Sequence, residues 1–167
     1  MGARLTTAIR IGDAARAVLR KTQSFPDQQS GDDLRHMKEM GVEPMLLALS
    51  MELALKAWFV FDFDDPKHSR SHDLAKLFDN LKPESQDKLD EEFKRSVAPH
   101  HPNVFYVDYG IRQVLFQHRD AFTDWRYMHE PKSTMFERGT FEATLEMVLR
   151  EFEKRYRIEP VDPLWSF

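Results

Sequence analysis

The stretch MLLALSMELALKAWFVF, residues 45–61, constrains the fold of this 167-residue chain more than any other part of it. Only Ser50, Glu52 and Lys56 interrupt an otherwise apolar run. A helix that is apolar on nearly every face must be surrounded, either by lipid or by other helices. This run is short for a membrane span and carries two charges near its middle. Those charges, Glu52 and Lys56, stand four residues apart in the order that favours pairing along a helix. The segment therefore reads as a central helix enclosed by protein, away from any membrane. Leu49, Leu53 and Phe61 are expected to be almost fully buried.

The flanking sequence supplies helices to enclose it. MGARLTTAIRIGDAARAVLRK has apolar positions at helical spacing and solvated arginines, and it lacks the continuous apolar block of a secretory signal, which predicts a first helix over 3–22. QSFPDQQS (23–30) is a polar break, and Ser30 can cap a short helix that stops near Gly41 and Pro44. DDPKHSRS supplies turn residues before a short helix in HDLAKLFDNL. Pro83 opens a mostly polar helix, PESQDKLDEEFKRSV, whose apolar stripe is Leu89, Phe93 and Val97. Residues 98–110 read as a loop docked by its aromatic side chains. From Ile111 one helix is expected to run to Pro131, with Ile111, Val114, Leu115, Phe122 and Trp125 on a single face. After Gly139 a last helix turns Phe141, Leu145, Val148, Leu149, Phe152 and Tyr156 inward, and Glu142, Glu146, Glu151 and Glu153 outward. An apolar tail, residues 161–167, carries Leu164, Trp165 and Phe167. No strand alternation or internal repeat is visible. The expectation is all-α: one domain over 1–167, a bundle of about five to six helices.

Composition narrows the function classes. A formal charge of −4 and a pI near 6.0 argue against a protein that coats nucleic acid indiscriminately. The chain has no cysteine, hence no disulfide, thiol nucleophile or thiolate metal site, which suits a cytoplasmic location. Its seven histidines form no HExxH pattern: His100 and His101 are adjacent in a loop, and His68 and His72 flank turn residues. No metal and no cofactor are expected. Phosphate-cradling glycine loops and the GxSxG elbow are absent as well.

Three short motifs occur in a fixed order. Glu52-Leu53-Ala54-Leu55-Lys56-Ala57 lies in the central helix, His72-Asp73-Leu74 begins a later one, and Arg126-Tyr127 follows near the end of the penultimate helix. In this ordered set, over about residues 40–155, the chain resembles the HEPN domains of prokaryotes and higher eukaryotes. The resemblance implies a helical bundle that packs against a second copy of itself. It also implies one of two functions. Some members are metal-independent ribonucleases, often toxins or antiviral effectors, whose dimers pair two copies of an arginine followed by a histidine after four to six residues. Others lack that chemistry and bind nucleotides or partner proteins, some of them beside nucleotidyltransferase-type antitoxins.

The ribonuclease pattern is met here by Arg112 and His118, with Arg95 and His100 a second match that crosses into a proline-bounded loop. A cation beside the phosphate and a histidine as proton donor suit RNA cleavage. Gln113 departs from the Asn, Asp or His that follows the arginine in active members. His72, Asp73, Arg126 and His129 form the candidate binding group. Arg126, flanked by Trp125 and Tyr127, reads either as a structural guanidinium paired with Asp73, Glu52 or Glu130, or as a phosphate or RNA contact. The leading expectation is a non-catalytic binding or assembly bundle, a homodimer and a component of a toxin–antitoxin or defence system. The alternative is a metal-independent endoribonuclease acting on RNA.

Overall fold

The computed structural model describes residues 3–25, 42–65, 70–101, 109–126 and 136–158. The regular elements among those residues are all helices, with no strand among them. Helix α1 spans Ala3–Gln23 and α2 spans Val42–Phe63. Two shorter connections follow, α3 (Leu74–Asp79) and α4 (Pro83–Ser96), the latter continuing into a single 3-10 turn, Ala98–His100. Helices α5 (Ile111–Gln117) and α6 (Ala121–Arg126) precede the long closing helix α7, Arg138–Ile158. The expected helix after Ser30 and the C-terminal tail lie outside the described residues.

Helix α2 is the centre, as its composition requires. It is the one helix among the described residues long and apolar enough to cross a membrane, yet most of it is buried inside the bundle. Leu47, Met51, Leu55 and Trp58 are fully enclosed. The polar atoms that come inside are satisfied: Ser50 Oγ donates to the Ala15 carbonyl at 2.7 Å, and Trp58 Nε1 donates to the Val148 carbonyl at 3.2 Å. These bonds fix the rotation of α2 against α1 and α7. That rotation corrects one expectation, because Leu49 and Leu53 are only half-buried while Phe61 is buried. A helix apolar on all faces contains no information about which face meets which neighbour, so the partners decide.

Close helix approach depends on one glycine. A Cβ placed on Gly12 of α1 would stand 2.9 Å from Cε1 of Phe152, a side chain of α7 that is itself buried. At the C-terminus of α2 the chain turns through Asp64, whose φ of 53° is left-handed, with its N–H bonded to the Val60 carbonyl. Aspartate is among the few non-glycine residues that adopt this conformation readily.

The end of α2 also holds a buried ionic knot. The carboxylate of Asp62 is wholly enclosed; it accepts from Ser85 Oγ at 2.8 Å, from the Lys82 N–H at 3.0 Å and from Arg155 at 2.6 Å. Arg155 stacks over Phe61 at 4.3 Å and Trp58 at 4.8 Å. A buried carboxylate persists only with this degree of pairing. It ties α2, the start of α4 and the last turn of α7 together.

Around this centre most inward stripes are those expected. Leu89, Phe93 and Val97 are buried, as are Phe141, Leu145, Val148, Leu149 and Phe152. Tyr109 packs 5.7 Å from Phe93 and 4.8 Å from His101, while residues 102–108 of the expected loop lie outside the described residues. Glu151 differs from expectation: it is buried, with Lys154 at 2.6 Å, whereas its neighbours in the acidic set point outward. The penultimate helix differs more. It is not continuous from Ile111 but ends at Gln117, turns through His118–Asp120, and restarts at Ala121. His118 leaves the helix at φ −111°, ψ 15°, and its ring occupies the core beneath the break.

Candidate functional site

The expected polar seam begins on α2. Glu52 is buried, and its two carboxylate oxygens take different partners: Lys56 Nζ at 2.5 Å and His72 Nδ1 at 2.9 Å. Because a carboxylate only accepts, Nδ1 of His72 carries the proton. Lys56 is buried one turn from Glu52, so the pair satisfies itself within the helix as the four-residue spacing anticipates. His72 lies at the surface end of the seam, half-exposed, its ring stacked on Phe122 of α6 at 5.2 Å.

Asp73, grouped with His72 by the sequence, has a different task. It is the N-cap of α3, where its carboxylate accepts from the Lys76 N–H at 3.1 Å. The Leu74 N–H reaches the Arg119 carbonyl at 3.4 Å, which joins the start of α3 to the turn between α5 and α6. His72 is thus fixed from three sides, by Glu52 below, Phe122 beside and the capped helix after it. Its Nε2 has no partner among the described residues. Arg126 ends α6, one turn beyond Phe122; its side chain, with His129 and Glu130, lies outside the described residues.

Arg112, on α5, and His118, just past its end, belong to different environments. Arg112 is exposed and makes a two-pronged ion pair with Asp79 at the end of α3, Nε and an Nη each 2.8 Å from a carboxylate oxygen. The hydrogen bonds to Asp79, and then its charge, hold the guanidinium still more firmly protonated than usual. It borders a surface cleft of about 230 Å³ with Gln113, Phe116 and Gln117. Phe116 is half-exposed there, and the Arg119 guanidinium covers its ring at 4.3 Å.

His118 is buried, 4% exposed, between the rings of Phe136 and Phe141. Its Nδ1 donates to the Val114 carbonyl at 2.8 Å, and its Nε2 accepts the Glu137 N–H at 3.1 Å. Both ring nitrogens are used. The second bond requires an unprotonated Nε2, so the site demands neutral imidazole. Burial pushes the His118 pKa down, against smaller upward pulls from the Val114 carbonyl and Glu137. A neutral, enclosed imidazole is a poor proton donor.

Gln113, the residue that departs from the ribonuclease pattern, closes the N-terminus of α5: its Oε1 accepts the Gly110 N–H at 2.9 Å. Asp90 of α4 completes that terminus by accepting the Ile111 N–H at 3.0 Å. A Cβ on Gly110 would stand 2.5 Å from this carboxylate, so a larger residue there would displace the Asp90 cap. Only the glutamine half of a capping box is present, since Gly110 has no side chain to return the bond. The knot of Asp62 and Arg155 left no signal in the sequence, because its members stand 93 residues apart. No family model, curated protein or solved structure matches this chain.

Proposed function

We propose that this chain is a HEPN-like bundle that works by binding and assembly and does not cleave RNA. The observation that carries the reading is the placement of His118. To act as a proton donor it would have to leave the Val114 carbonyl and the Glu137 N–H and emerge from between two phenylalanines. The role of Gln113 as a helix cap agrees, since that residue is accounted for without chemistry.

The surface best suited to contact is the outer side of α5. It presents a half-exposed Phe116 among Arg112, Gln113 and Gln117, an aromatic centre with a polar rim. A second copy of the chain meeting there forms the homodimer. A partner of the nucleotidyltransferase-type antitoxin class is the corresponding hetero-assembly, in a toxin–antitoxin or defence setting. Phe116→Ser should then convert a dimer to a monomer in light scattering without loss of helicity.

The ribonuclease reading keeps one favourable observation, that Arg112 is exposed beside a cleft. A cleavage assay in the absence of metal separates the two. Wild-type protein is expected to leave single-stranded RNA intact. Cleavage by wild type that disappears in Arg112→Ala, with an unchanged melting temperature, would reverse the proposal. His118→Ala is the wrong variant for this purpose, because loss of fold would imitate loss of chemistry.

A further inference from the structure

A cleft of about 340 Å³ runs between α1 and α7, away from the seam and from the α5 surface. Its lining is Arg16, Leu19 and Arg20 from α1, and Glu146, Leu149, Arg150 and Glu153 from α7. The chain as a whole is acidic, so arginines gathered along both rims of one cleft run against its average. The two lining carboxylates are already engaged. Glu153 is paired with Arg16 at 2.9 Å and also with Arg157, and Glu146 accepts from the Gln23 amide at 2.7 Å. Three arginines line the cleft against two glutamates.

The cations are less fully used. Arg16 is anchored by the Leu149 carbonyl at 2.9 Å and by Glu153. Arg20 is exposed and has no acceptor among the described residues. Arg150 makes two longer ion pairs, with Glu92 at 3.5 Å and Glu151 at 3.8 Å. Both of those acids have closer cations, Arg95 at 2.7 Å and Lys154 at 2.6 Å. A guanidinium carries five N–H donors in a planar fork that matches phosphate oxygens two at a time. Arg20 therefore brings unpaired donors to one rim of the cleft, Arg150 brings to the other a guanidinium whose two carboxylates are shared with closer cations, and Arg16 is held in place beside them.

We infer that the cleft between α1 and α7 binds a phosphate group, with Arg20 and Arg150 as its ligands and Arg16 as the fixed charge behind them. The volume exceeds that of one oxyanion, so a phosphomonoester with a small body fits as well as free phosphate does. This inference is independent of whether the α5 surface assembles.

The test is titration calorimetry on the intact chain, with inorganic phosphate in one arm and phenyl phosphate in the other, against sodium chloride at equal ionic strength. Binding is expected in both phosphate arms, weakened about tenfold by Arg20→Gln or by Arg150→Gln, as loss of a charge-assisted pair implies. Lys88→Gln, an exposed cation of α4 that lines neither this cleft nor the α5 surface, should bind like wild type. Tighter binding of phenyl phosphate would identify a monoester as the ligand, and equal binding would identify the free oxyanion. No heat beyond the chloride control, or wild-type affinity in both Arg20→Gln and Arg150→Gln, would overturn the site.

Discussion

His118→Phe isolates what the buried imidazole does for the fold. Phenylalanine fills most of the ring volume between Phe136 and Phe141, so little cavity results. The Val114 carbonyl keeps a partner, because it also accepts the His118 backbone N–H at 3.2 Å. The Glu137 N–H does not, since Nε2 is its acceptor at the start of α7. Glu137 is an exposed residue and this bond is only partly buried, so its loss costs about 0.5 to 1.5 kcal/mol. His118→Ala adds lost packing, for a total of about 2 to 4 kcal/mol. Urea denaturation followed by helicity should show a lower midpoint at unchanged slope for both variants, with alanine the worse.

The same residue predicts a pH dependence with a definite sign. The folded pKa of His118 lies below its ordinary value. Between the two values the unfolded chain binds the extra proton and the native chain does not, so stability rises with pH across that window. The contribution is complete above about pH 6.5 and is lost as pH falls from there to the lower folded pKa. His118→Phe should flatten this part of the stability curve. A variant as stable as wild type, or one with an unaltered slope between about pH 7 and about pH 5, would refute the argument that the imidazole is a neutral structural acceptor.

Asp62→Ala strands Arg155 over two aromatic rings and should cost about 3 to 5 kcal/mol in the same denaturation assay, whereas a surface pair would cost under about 1. Gly12→Ala should lower the melting temperature, because overpacking against Phe152 at about 1 to 3 kcal/mol outweighs the roughly 1 kcal/mol gained in helix propensity; a raised melting temperature would show that the ring yields freely. Leu55→Ala should cost about 2 to 5 kcal/mol and Leu53→Ala clearly less, since only Leu55 is fully buried; equal losses would contradict the observed rotation of α2.

The sequence by itself determined the class of fold and its centre. An apolar run with one internal ion pair has few solutions outside a helix wrapped by helices, and the pair of Glu52 and Lys56 forms at the spacing that announced it. The amphipathic stripes of α4 and α7 were legible for the same reason: period and burial express one geometry. One local helix start was legible too, at Pro83.

Tertiary structure decided what no local pattern encodes. The rotation of α2, and with it the exposure of Leu49 and Leu53, came from α1 and α7, because a helix apolar all round has no preferred face. The break at His118 arose because its ring finds acceptor and donor at the chain's own Val114 and at Glu137, nineteen residues on; periodicity across 111–126 reads straight through such a turn. Arg112 and His118 match a spacing along the chain, yet one faces Asp79 at the surface and the other lies in the core. Spacing fixes distance along a helix, whereas chemistry requires that two side chains share a solvent-accessible space, and only packing against the rest of the molecule settles that.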